Sequence, residues 1–81
     1  MRPMDNMSNQ ERPLLAIGSV GPEVEMLQRI LLSIGYNPGP IDGIFGPLTQ
    51  MAVIQFQMDN GLVPDGIVGP RTYEILDLVY P

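Results

Sequence analysis

Two aspartates stand in the same short phrase, Asp42-Gly43-Ile44-Phe45-Gly46-Pro47 and Asp65-Gly66-Ile67-Val68-Gly69-Pro70. A pair of carboxylates is the working equipment of glycoside hydrolysis, in which two acids in different environments flank one bond. Acids in two copies of one turn sit in equivalent environments, and a chain of 81 residues offers no deep cleft, so this chemistry fits poorly. A calcium loop fits no better, because Asp42-Gly43 lacks the run of oxygen ligands and the closing glutamate at the twelfth position. Neither Gly-x-x-Gly-Pro segment is a phosphate loop, since the Lys-Ser/Thr ending is absent. What remains is conformational chemistry. An aspartate before glycine accepts backbone N–H groups in an Asx-turn and fixes the loop that follows.

The elements that such turns feed are helices. Gly-x-x-Gly-Pro occurs three times, beginning at Gly18, Gly43 and Gly66. In each copy the proline takes the first helical position, where its missing N–H costs nothing. Helices are predicted over residues 22–34, 47–59 and 70–79. The first places Val24, Leu27, Leu31 and Ile34 on one face, with Glu23 and Glu25 in the first turn, where the helix dipole favours negative charge. Gly35 follows the first helix as a left-handed C-cap would, and Asn60-Gly61 closes the second. Ala52, Val53 and Phe56 form the inner face of the second helix, and Ile75, Leu76 and Val79 that of the third. Counted from the proline, Leu27, Ala52 and Ile75 are equivalent, as are Leu31, Phe56 and Val79, so the helices are expected to offer matching faces to one core. Thr49 and Thr72, two residues after the proline, are expected to bond backbone near the helix start. Leu14-Leu15-Ala16-Ile17 is too short for a helix and reads as an extended segment. Residues 1–13 read as a flexible N-terminal arm, and 14–81 as one domain. The fold class is all-α, a closed three-helix bundle with an internal repeat and a short extended N-terminal segment.

Composition narrows the function. Without cysteine or histidine there is no disulfide framework, no thiolate metal site and no imidazole base. No metal or other cofactor is expected. A net charge of −5, with four Arg and no Lys, opposes nucleic acid and anionic membrane surfaces as partners. No stretch approaches the roughly 20 apolar residues of a membrane span. The N-terminus lacks the apolar region of a signal peptide.

The spaced residues also resemble a known family. Leu15-Ala16-Ile17-Gly18-Ser19-Val20-Gly21, then Val24, Leu27-Gln28 and Leu31, resemble the opening of the small peptidoglycan-binding domains. Gly35-Tyr36, Ile41-Asp42-Gly43-Ile44-Phe45-Gly46, Thr49, Ala52-Val53 and Phe56-Gln57 continue the match. Asn60-Gly61-Leu62, Asp65-Gly66-Ile67-Val68-Gly69 and Thr72 complete it. The resemblance implies a noncatalytic, monomeric wall-binding module accompanying a cell-wall hydrolase in cis or trans, at the cell wall or outside the cell, as in spore enzymes and phage lysins. Its ligand would be a glycan or stem peptide of peptidoglycan. Related modules in metalloprotease propeptides supply the alternative, a regulatory module that packs on a partner enzyme; Met26, Met51, Ile54 and Met58 would be its adaptable apolar surface.

The expected ligand surface is the turn ahead of the second helix, where Tyr36, Asn37, Asp42, Gly43, Phe45 and Gly46 cluster at one helix N-terminus. Aromatic faces pack on sugar rings, Asn and Asp bond hydroxyls and amides, and helix-start N–H groups receive a carboxylate. Gln28 and Arg29 would contribute from the first helix. For Phe45 a core position is the stronger expectation, because its repeat partners Val20 and Val68 are apolar.

Overall fold

The computed structural model describes residues 12–81. It contains three helices, α1 (Pro22–Ser33), α2 (Pro47–Asp59) and α3 (Pro70–Val79), and no strands among the described residues. Each begins at its Gly-Pro step, with glycine as N-cap and proline at the first position. The first two stop alike. Gly35 and Gly61 turn left-handed, at φ 102° and 70°. The N–H of Tyr36 then bonds Leu31 O at 2.8 Å, and that of Leu62 bonds Gln57 O at 2.8 Å. These six-to-one bonds satisfy carbonyls that a helix end leaves open. Ile34, expected as the last helical residue of α1, is instead its C-cap.

The connections are stitched together by backbone. Leu15 exchanges two hydrogen bonds with Val68, at 3.2 and 2.8 Å, which ties the N-terminal segment to the turn before α3. Gly21 N–H donates to Gly43 O and Phe45 N–H to Ser19 O, both at 2.9 Å, joining the first turn to the second. Gly43 must be glycine here. Its φ is +76°, and a Cβ would stand 3.2 Å from Gly21 O. The core these turns enclose includes Val24, Leu27, Leu31, Phe45, Val53, Phe56, Val68 and Leu76.

The third copy departs from the expected equivalence. Ile75 is only partly buried and Val79 is 46% exposed, while Tyr73 and Leu76 are buried. The inner face of α3 is rotated because Tyr73 is held beneath the N-terminal segment. Its hydroxyl donates to Pro13 O at 2.6 Å, and Arg12 lies 4.8 Å from its ring centre while pairing with Asp77 at 3.0 Å. Arg12 and Pro13, assigned to the arm, are therefore fastened to α3; the rest of that arm lies outside the described residues. Val20 differs from its repeat partners too. It is 71% exposed, whereas Phe45 and Val68 are sealed.

Candidate functional site

Each of the two Asp-Gly turns is gripped by a buried glutamine from the preceding helix. The Gln28 amide nitrogen donates to Ile44 O (2.9 Å), Thr49 Oγ1 (3.0 Å) and Asp42 Oδ1 (3.2 Å). Its carbonyl oxygen accepts the N–H groups of Gly43 (2.9 Å) and Asp42 (3.1 Å). Gln57 repeats the pattern on Ile67 O (2.9 Å), Thr72 Oγ1 (3.1 Å), Asp65 Oδ1 (3.2 Å) and Gly66 N–H (2.9 Å). The aspartates close Asx-turns, accepting Ile44 N–H and Ile67 N–H at 2.9 Å each. These bonds hold the Asp42 carboxyl below its ordinary pKa, the Ile44 N–H contributing most and the Gln28 amide next. Asp65 N–H turns back on Val63 O at 2.9 Å instead of reaching the glutamine.

The units differ at the threonine. Thr49 receives Gln28 and donates its own proton to Pro38 O at 2.9 Å. Pro38 is fully buried there, and a Cβ at Gly39 would stand 3.1 Å from the Leu48 side chain, so the linker roofs the start of α2. Thr72 receives Gln57, but its proton meets no acceptor among the described residues. A cavity of about 400 Å³ opens at this point, walled by Leu14, Leu62, Val63 and Ile67, with Asp65, Arg71 and Thr72 among its polar residues. The threonines do not bond backbone at the helix start, as their position predicts. They anchor the glutamine, and Thr49 reaches eleven residues back along the chain.

A family model described as "Putative peptidoglycan binding domain" matches residues 20–76. The chain belongs to this family. It is 43% identical over 54 residues to a spore cortex-lytic enzyme of Halalkalibacterium halodurans, covering 67% of this chain and 16% of that protein. It superposes on the SleB N-terminal domain with TM-score 0.80 and 35% identity, covering 89% of this chain and 94% of that one. The Burkholderia AP3 phage endolysin gives TM-score 0.75 and 44% identity over 79% of this chain and 24% of its own. The chain spans 56% of a curated relative from Kitasatospora aureofaciens and 8% of one from Caulobacter vibrioides.

Within this peptidoglycan-binding domain, none of the eight residues expected to bind ligand lines the cavity before α3. Gln28 and Phe45 are each 1% exposed, one holding the turn and the other filling the core, so neither presents a group to solvent. Gly43 is buried, and Gly46 is the N-cap of α2. Tyr36 packs edge-on against Phe56 at 5.7 Å and donates to Asp59 at 2.7 Å. That bond to a carboxylate, with burial and the negative charge behind it, raises the Tyr36 pKa. Asn37 is exposed and accepts Gly39 N–H, while Arg29 is exposed and pairs with Glu25 at 2.7 Å. Arg71, Thr72 and Gln57, which border the cavity, were not singled out for a ligand. The sequence does carry one signal for them: the residue after the helix-starting proline is Leu48 in one copy and Arg71 in the other.

Proposed function

We propose that this domain is a noncatalytic module that binds peptidoglycan and holds an attached or partner hydrolase at the bacterial cell wall. The observation that carries this reading is the family match across residues 20–76, made by a chain whose paired turn aspartates, glutamines and threonines hold its own turns. A carboxylate already engaged by two donors in an Asx-turn is a poor proton shuttle, so the turn aspartates serve shape. The setting that follows is the wall or the extracellular side, with the domain acting as a monomer. Affinity for a single fragment would be weak, and tethering to a polymer-bound enzyme would supply the useful avidity.

The test is co-sedimentation with purified sacculi. The folded domain is expected to pellet with them and to release neither reducing sugars nor free amines. Failure to pellet with sacculi stripped of anionic polymers would overturn the reading; the stripping matters because the chain carries a net charge of −5. A second reading, docking on a partner enzyme, is favoured by the exposure of Met51 and Met58, seven residues apart on one face of α2. It predicts retention of the cognate hydrolase on immobilised domain and none of glycan.

A further inference from the structure

The turn before α2 shows what its counterpart before α3 is shaped to receive. In the first unit Pro38 supplies a carbonyl oxygen to the Thr49 hydroxyl, and its ring is fully buried. Leu48, the next residue of that helix start, packs on the same linker at Gly39. In the second unit Thr72 is only 5% exposed, and its hydroxyl proton has no acceptor among the described residues. The space beside it is a cavity of about 400 Å³, within the size range of small-ligand sites. Arg71 stands where the first unit has Leu48, and its side chain is 80% exposed with only a long 3.8 Å approach to Glu74. The N–H groups of Arg71 and Thr72, at the positive end of α3, have no capping side chain. One unit thus carries an internal occupant with a carbonyl and an apolar ring. The other has the same hydroxyl, apolar walls and a cation in place of the leucine.

We propose that this cavity is a subsite for the C-terminal carboxylate of a short peptide with small apolar side chains, the kind of end a wall stem peptide presents. One carboxylate oxygen takes the Thr72 proton, as Pro38 O takes that of Thr49. Arg71 and the helix-start N–H groups face the charge, and Leu62, Val63 and Ile67 cover the side chains. Asp65 repels a second carboxylate and suits the amide N–H that precedes the terminal residue. This assignment rests on the peptidoglycan reading for the source of the peptide, and on the cavity alone for its chemistry.

The experiment titrates N-acetyl-D-alanyl-D-alanine into isotope-labelled full chain and follows backbone amides, with the C-terminal amide of the same dipeptide and N,N'-diacetylchitobiose as comparisons. The dipeptide is expected to shift residues 62–67 and 69–73. Capping its carboxylate, or introducing Arg71→Gln, is expected to weaken binding about tenfold or more. Arg71 is exposed, so that variant folds, and Arg71→Lys should recover part of the loss. The subsite is overturned by an absence of shifts at millimolar dipeptide, by shifts confined to residues 36–46, by preference for the disaccharide, or by indifference to both the cap and Arg71→Gln. Sacculus binding separates the two readings. Sacculus binding without dipeptide shifts removes the subsite and leaves wall binding standing. Dipeptide shifts without sacculus binding keep the subsite and remove the wall.

Discussion

The turns ahead of α2 and α3 share their sequence and their glutamine grip, yet one is closed by its own linker and the other is open. The cause is a register difference of one helical turn. Gln28 is the sixth residue after Pro22, whereas Gln57 is the tenth after Pro47, four residues or about one turn later. Helix α1 therefore runs five residues beyond its glutamine, and α2 only two. From the end of α1 the chain must travel further back to reach the grip, and the linker of residues 34–46 is three residues longer than that of residues 60–69. The surplus is the segment around Pro38 that lies over Thr49. The shorter linker makes the tight Asp65 N–H to Val63 O turn instead and brings no carbonyl to the Thr72 hydroxyl among the described residues. The same local chemistry yields a sealed joint or a binding cavity, depending on where along a helix the glutamine sits.

The comparison is tested most severely by removing the grips. Gln28→Leu strands the Asp42 and Gly43 N–H groups and Ile44 O, whereas Gln57→Leu strands one N–H, that of Gly66, and Ile67 O. Each orphan costs towards the low end of about 1–3 kcal/mol, because the Asp42 N–H, Ile44 O and Ile67 O bonds are only part-buried, so losses of about 3–5 kcal/mol for Gln28→Leu and about 2–3 kcal/mol for Gln57→Leu are expected. A domain of this size has about 4–12 kcal/mol in total, so the first variant should stand close to unfolding. Urea denaturation reads both, and a reversed order would remove the asymmetry described above.

The glycines come next. Gly43 and Gly66 share left-handed backbone, at φ +76° and +75°. An alanine at Gly43 meets the backbone oxygen of Gly21 at 3.2 Å, which cannot yield, while at Gly66 it meets the movable Gln50 side chain at 3.1 Å. Expected losses are about 2–3 kcal/mol for Gly43→Ala and about 1–2 kcal/mol for Gly66→Ala. Equal thermal shifts in the two variants would show that the Gly21 contact does not matter.

The threonines give a smaller difference of the same sign. Thr49→Val removes an acceptor from Gln28 and a donor from buried Pro38 O, at an expected cost of about 1–2 kcal/mol. Thr72→Val removes only the acceptor, for about 0.5–1 kcal/mol, because its proton has no partner to lose. Equal losses in the two variants would mean that the Thr72 proton does have a partner in the folded protein, and would close the cavity as a site.

The helices were legible because their signals are local. Gly-Pro at Pro22, Pro47 and Pro70 starts each one, and Gly35 and Gly61 end the first two. The Asx-turns at Asp42 and Asp65 were legible for the same reason. The glutamines were not, because Gln28 and Gln57 fall out of register with the repeat that aligned everything else. The site was harder still. The cluster from Tyr36 to Gly46 is dense in ligand-like side chains, but turn chemistry cannot say that Pro38 folds back over Thr49 and that Tyr36 is tied to Asp59. Nor could equivalence to Leu31 and Phe56 reveal that Val79 faces outward, since that follows from Tyr73 being drawn towards Pro13.

The smallest expected effect concerns charge. The Asp42 carboxyl is held below its ordinary pKa of 3.8 by Ile44 N–H and the Gln28 amide. A group depressed by folding stabilises the native state above its unfolded pKa, and that contribution is lost as pH falls through the lower folded value. The wild-type urea midpoint should therefore be level near neutrality and decline as the solution is taken below about pH 4. Asp42→Asn keeps an oxygen for Ile44 N–H but removes the titration. It should lie slightly below wild type at neutral pH and converge with it in acid, since the protonated carboxyl and the amide offer the turn the same acceptor. Because Asp42 is exposed to solvent, the gap at neutral pH should be smaller than any of the losses above. A gap that stays constant from neutral pH into acid would mean that the Asp42 charge adds nothing to the turn, which would then rest on the Asp42 oxygen as a neutral acceptor and on the glutamine.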